Sequence, residues 1–166
     1  VGMSEHLNLI HHAKKYIYIN TPYLILNDAI SRALKVASES GVDVRILVPH
    51  IPDKKLVFQI TRHSYKALIE SGIKIYEFTP GFNHSKAIVC DDEYGLVGSI
   101  NTDFRSYFLH FEDAVLMYKT EAVKDVKEDF LQSLEKSHEV TMKEVNRTPL
   151  ILKIIRAILT LFIPLV

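Results

Sequence analysis

Between Phe82 and Glu112 the sequence FNHSKAIVCDDEYGLVGSINTDFRSYFLHFE sets His84, Lys86, Asp91, Ser99, Asn101 and Glu112 among residues suited to strands. Ile88, Val89 and Cys90 form an apolar run, Asp91-Asp92-Glu93 a polar turn, and Leu96-Val97 opens a second run, so the segment predicts a hairpin. His84 and Lys86 are two positions apart, as are Ser99 and Asn101. Side chains two apart share one face of a strand, which predicts an imidazole, an ammonium, a hydroxyl and a carboxamide on one face of the hairpin. Such a set suits a phosphate.

The spacing His-x-Lys, four residues, Asp, six residues, Gly-Ser-x-Asn, read at His84, Lys86, Asp91, Gly98, Ser99 and Asn101, resembles the phospholipase D superfamily. TPYLI near the start, PDKKLVFQITRHSYKALIESGIKIYEF before the motif and DFRSYFLHFE after it are similar to the second catalytic half of bacterial cardiolipin synthases. The likeness covers nearly all of the chain. A single strand histidine is more often a hydrogen-bonded structural residue than a nucleophile. Six positions matching together leave that reading little room. His12-Ala13-Lys14 also fits His-x-Lys, yet Ile19 stands where the aspartate belongs and no Gly-Ser-x-Asn follows, so the short pattern alone carries nothing.

A chain of 166 residues fits one domain and can bury roughly 68–70% of its unfolded surface. Lys+Arg and Asp+Glu are equal at 20 each, which offers no overall attraction to nucleic acid or anionic lipid, so any such attraction must come from local patches. Cys90 is the only cysteine, so an internal disulfide is excluded, and its apolar neighbours make it a small core residue. With no Cys/His cluster at zinc spacing and no calcium-type loop, neither metal nor cofactor is expected. The start VGMSEHLNLIHHAKK is not a signal peptide, and beginning at Val1 suggests a fragment of something longer.

Along the chain, Ser4–Lys15 reads as an amphipathic helix and Tyr16–Asn20 as a strand stopped by Thr21-Pro22; the resemblance implies a pocket place for Tyr23, with packing on the core as the alternative. Asn27 or Asp28 can cap a helix ended by Gly41, and Val42–Pro49 is an apolar strand of the kind covered on both sides. Asp53 can start a locally basic helix, followed by a strand over Ile73–Phe78. Phe104, Tyr107, Phe108 and Phe111 are expected to pack largely in the core, Ala114–Tyr118 is a strand, and Thr120 can cap a helix ending near His138. The expected fold is α/β, a phospholipase D-like α/β/α sandwich with a mixed sheet over residues 1–140, the motif lying at about 78–105.

Residues 141–166 form a C-terminal tail with Lys153, Arg156 and Thr160 on one helical stripe and Leu, Ile and Phe on the rest. About 18 apolar residues holding two cations make a poor membrane span. An in-plane amphipathic helix on a membrane surface is the expectation, with docking against the domain or a partner as the alternative.

The resemblance implies a histidine that attacks phosphorus to give a phosphohistidine, and a second histidine, from another motif copy, that acts as general acid. Lys86 and Asn101 hold phosphate oxygens, Ser99 bonds nearby, Glu112 orients an imidazole, and Asp91 orders the motif. The implied reaction joins two phosphatidylglycerol molecules into cardiolipin and glycerol at a bacterial cell membrane. One histidine cannot be both nucleophile and acid at one phosphorus, so the chain reads as half a site. The other half is expected from an N-terminal half of a longer chain or from a homodimer partner. A phospholipase D-type phosphodiesterase or nuclease working as a homodimer is the rival, disfavoured by neutral charge and the apolar tail, and a non-catalytic scaffold sits poorly with an intact motif.

Overall fold

Strand β1 (Tyr16–Asn20) is buried at every position, and its alternation decides the layers around it. Ile17 and Ile19 join Ile46 and Val48 of β2 (Asp43–Pro49), Ile75 of β3 (Lys74–Phe78) and Ile88 of β4 (Ala87–Cys90). Residues of α1 (Gly2–His12), α2 (Asp28–Glu39) and α3 (Lys55–Glu70), among them Ile10, Leu34 and Leu68, close that side. Tyr16 and Tyr18 point the other way, packing with Leu47, Val89, Val123 and Phe130 around α5 (Glu121–Glu135). Covering both faces explains why β2 reads as a nearly continuous apolar run, and the outcome is an α/β/α sandwich.

The remaining elements are β5 (Tyr94–Gly98), α4 (Phe104–Phe108), β6 (Ala114–Tyr118), β7 (Ser137–Glu139), α6 (Met142–Arg147) and α7 (Leu150–Thr160). The computed structural model describes residues 1–163, and among them the sheet has seven strands in the order β6-β5-β4-β1-β2-β3-β7. β1, β2 and β3 are mutually parallel, whereas β4, β5, β6 and β7 pair antiparallel with their neighbours, so the sheet is mixed.

Local chemistry explains most boundaries. Asn27 caps α2 by accepting the Ile30 N–H at 2.9 Å, and Gly41 beyond its end has φ +97°, where a side chain would be strained. Asp53 does not start α3. Its carboxylate accepts from the Tyr23 hydroxyl and the Lys54 N–H, and the helix begins at Lys55. The helix expected to reach His138 stops at Glu135, because Ser137–Glu139 pairs with β3 instead.

Two expectations about apolar residues are corrected. Of the aromatic cluster, Tyr107 is buried, while Phe108 and Phe111 are exposed: α4 is a single short turn with one inward side, and Phe111 lies beyond it. In the tail, α7 packs on α3 with Leu159 and Ile163 against Ile25, Val57 and Ile60. Arg156 does not join a solvated stripe; it is 8% exposed and donates from Nε to Gln59 Oε1 at 2.9 Å. Leu150, Ile151, Ile154, Ile155, Ile158 and Leu161 face outward. Residues 164–166 of the expected tail lie outside the described residues, and no described helix is long and apolar enough to cross a membrane.

Candidate active site

The hairpin register gathers the motif at one end of the sheet. Ala87 at the start of β4 pairs with Asn20 at the end of β1, so the loop from Phe82 to Lys86 emerges beside the carboxyl ends of the parallel strands. Gly98 at the end of β5 donates its N–H to the Lys86 carbonyl at 3.2 Å, which sets Ser99 next to Lys86. His84, Lys86, Ser99 and Asn101 therefore stand in loops just past the strand ends rather than on a strand face. Local bonds draw the chain out of the ladder: Ser85 N–H donates to Asn83 Oδ1 at 3.0 Å, and Ser99 N–H to the Asp113 carbonyl at 2.8 Å.

His84 is exposed, its ring stacked on Phe82 with centroids 5.3 Å apart. Partial burial and the neighbouring Lys86 charge both lower its pKa, favouring the neutral imidazole. Lys86 donates from Nζ to the His84 carbonyl at 2.7 Å. Burial lowers the ammonium pKa against the opposing pull of Glu112, Asp103 and Asp53. Asn101 is half-buried, and its Oδ1 is buried with no hydrogen-bond partner among the described residues. That orphaned atom is an acceptor, and an anion would be met instead by the Nδ2 donor of the same amide.

Glu112 accepts from Ser99 Oγ and, at 2.8 Å, from Ser106 Oγ; its contact to an imidazole is His110 Nδ1 at 3.7 Å, not His84. The two serines thus hold the carboxylate beside Lys86. Asp91 is not brought to the site. It lies five residues along the hairpin from Lys86, roughly 16 Å at strand rise, and receives the backbone N–H groups of Lys14, Lys15 and Tyr16 at 2.6, 2.9 and 2.9 Å.

The fold adds groups that spacing did not reveal. Tyr23 lines a cavity of about 240 Å³ with Ile25, Asn101, Asp103 and Arg105, and its hydroxyl donates to Asp53 at 2.5 Å. Thr21 Oγ1 accepts the Thr102 N–H at 3.1 Å and donates to the Tyr23 carbonyl, tying the end of β1 to the loop after Asn101. Asp103 caps α4 through the Ser106 N–H at 2.7 Å, and burial raises its carboxyl pKa. Tyr23 thus takes the pocket position of its two expected places, while the tie from Thr21 to Thr102 was out of reach of the sequence because the partners lie some eighty residues apart. Among the described residues no three His, Cys, Asp or Glu side chains gather as a metal would need. The arrangement can hold a tetrahedral anion by Lys86 and Asn101 and present one neutral imidazole to it.

A family model described as cardiolipin synthase, PLD-like domain, matches residues 6–134. Relatives include an uncharacterized protein of Streptococcus mutans, 43% identical over 99% of this chain and 36% of that protein. A cardiolipin synthase of Halalkalibacterium halodurans is 39% identical over 95% of this chain and 31% of that protein. The chain therefore spans about a third of the length of these relatives. Among solved structures, Nuc of Salmonella typhimurium, a phospholipase D family member, superposes with a TM-score of 0.72 at 21% identity, covering 83% of this chain and 90% of that one. The phosphatidylserine synthase of Haemophilus influenzae gives 0.70 at 18% identity over 94% of this chain and 40% of that one. At those identities the likeness is one of fold. With the family model spanning residues 6–134 and the motif assembled at one sheet end, the chain belongs to the cardiolipin synthase, PLD-like domain family of the phospholipase D superfamily.

Proposed function

We propose that this chain supplies one motif of a two-motif phosphatidyltransferase site that converts two phosphatidylglycerol molecules into cardiolipin and glycerol. The observation that carries the reading is the grouping of His84, Lys86, Ser99 and Asn101 in the loops at one sheet end. The names of the relatives support the lipid substrate. In the first step an imidazole nitrogen attacks phosphorus, the bond from phosphorus to the glycerol oxygen breaks, and a second histidine gives that oxygen its proton. In the second, a hydroxyl of another phosphatidylglycerol attacks the phosphohistidine, loses its proton to the second histidine and releases the imidazole. Lys86 and Asn101 bind the non-bridging oxygens, where negative charge grows. Its lowered pKa suits His84 to the nucleophilic role, since the neutral ring keeps a lone pair. Glu112, fixed by Ser99 and Ser106, balances the charge of Lys86.

The second histidine comes from another motif copy, on the rest of a longer chain or on a second subunit. The outward apolar row of α7 rests on the membrane surface that holds the substrate, placing the protein at the bacterial cell membrane. The test incubates the chain with phosphatidylglycerol vesicles, alone and with the preceding half of a longer relative, beside His84→Ala. Cardiolipin that disappears in His84→Ala is the expected result. Phosphatidic acid instead of cardiolipin indicates a hydrolase, and silence under both conditions overturns the proposal.

A further inference from the structure

Away from the motif, a second polar cavity of about 230 Å³ lies between α3, the β3–β7 edge and the tail. At its centre Glu77, 2% exposed, accepts from Arg62 Nε and Nη2 at 2.9 and 2.7 Å and from the Tyr65 hydroxyl at 3.0 Å, and lies 2.7 Å from His50 Nδ1. Burial alone would raise its carboxyl pKa, yet Arg62, His50 and Tyr65 together hold it below the ordinary range. Glu144, the other acid on the wall, accepts from the Thr141 N–H and hydroxyl and lies 2.7 Å from His138 Nε2. Both carboxylates are thus already engaged.

Arg156 enters this cavity from α7 without such a partner. It is nine-tenths buried, Gln59 takes its Nε, and no carboxylate lies within ion-pair distance of it among the described residues. Burial and the neighbouring Arg62 charge press its pKa down against the opposing pull of Tyr65 and Glu77. Among the described residues only its Nε has a hydrogen-bond partner, and the planar fork of donors left to it matches carboxylate and phosphate oxygens. His50 and His138 stand at the rim, each with one ring nitrogen turned to a carboxylate, Glu77 and Glu144. The volume is several times the roughly 30 Å³ of a water and below the roughly 300 Å³ at which larger ligand sites begin, which suits an anion of headgroup size.

We propose that this cavity is a binding site for a phosphate oxyanion, separate from the catalytic motif, in which Arg156, joined by the one Arg62 nitrogen that Glu77 leaves, holds the anion and thereby fastens α7 to α3. The site is independent of the transfer reaction and stands or falls without it. Its source is either free phosphate or the phosphodiester of a lipid headgroup.

The experiment follows the Nε–Hε NMR signals of Arg156 and Arg62 in the whole chain during titration with inorganic phosphate, with glycerophosphoglycerol as the headgroup probe, and with chloride at matched ionic strength. A saturable shift of both signals with phosphate or the diester, absent with chloride, is expected. Tighter binding of the diester assigns the site to a lipid headgroup, and tighter binding of phosphate to the free ion. Arg156→Gln, folded by circular dichroism, should bind roughly tenfold or more weakly, while His84→Ala binds as the parent does. Arg156→Lys keeps the charge and should retain part of the affinity, which separates anion binding from mere packing. Unmoved arginine signals in the parent chain, or shifts equal to those in chloride, overturn the proposal whatever the variants do.

Discussion

Gly98 and Lys86 face each other across the β4–β5 ladder, the glycine N–H donating to the lysine carbonyl at 3.2 Å, and this single bond joins the two halves of the motif. Gly98 is also pressed from its other side. A Cβ built on it would stand 2.2 Å from the Asp113 carbonyl oxygen and 2.6 Å from Ala114 Cα. The glycine is therefore required by the close approach of β6, and that approach is what lets Asp113 fix Ser99.

Gly98→Ala should accordingly force β5 and β6 apart and lower stability by about 2–3 kcal/mol, with Ser99 and Glu112 displaced. Urea unfolding measures the loss. Gly81→Ala is the control, since a Cβ there meets nothing within 4 Å, and it should change stability by less than about 0.5 kcal/mol. Equal effects for the two substitutions would refute the steric account.

Asp91 acts through the backbone at the far end of the hairpin. Its carboxylate receives three consecutive N–H groups where the chain passes from α1 into β1, and its own φ of +56° is a conformation that Asp and Asn tolerate. Asp91→Ala leaves those donors unpaired and should cost about 2 kcal/mol, whereas Asp91→Asn keeps an acceptor and the turn and should cost less. Hydrogen exchange at Lys14, Lys15 and Tyr16 reads the effect directly. Unchanged protection in the alanine variant would show that the latch is not what holds this junction.

The hairpin, the motif and the sandwich were legible because strand period, turn residues and helix caps are local signals. The sequence suggested an ordering role for Asp91 but not its partners, the backbone N–H groups of Lys14, Lys15 and Tyr16. What escaped had distant or weak causes. β7 is three polar residues, Ser137–Glu139, recognisable only once β3 offers an edge. Arg156 sits on a clear amphipathic helix, but periodicity tells which residues share a face, not which face meets Gln59 of α3. Tyr23 and Asn101 line one cavity because Thr21 and Ile25 both bond Thr102 across the fold.

The outward row on α7 gives a separate expectation. Ile154 and Ile158 are each about half exposed on that row, and neither belongs to the apolar cluster packed beneath the helix. Changing both to Asp should leave the fold intact while removing roughly 3 kcal/mol or more of transfer energy, over a hundredfold in partitioning to vesicles. Co-sedimentation with phosphatidylglycerol vesicles tests it, and unchanged binding would place the membrane contact elsewhere.

His6 makes the fold sensitive to mild acid. It is 3% exposed within α1, its Nδ1 lies 2.7 Å from the Tyr107 hydroxyl, and burial pushes its pKa down to about 4. Below its ordinary value near 6.5 the unfolded chain takes up a proton that the folded chain refuses. The contribution of this neutral ring is thus complete above pH 6.5 and falls as the pH drops toward 4, by about 3 kcal/mol in total. Urea unfolding at pH 7 and pH 5 should show that slope, and it should shrink in His6→Gln, which keeps a polar group but cannot take a proton. Tyr107 anchors α4, and α4 begins with the Asp103 cap that follows Asn101, so protonation of His6 should loosen this side of the catalytic pocket before the sheet unfolds. Amide exchange in α4 that quickens at pH 5 ahead of exchange in β1 and β2 would establish that order, and simultaneous loss of protection would refute it.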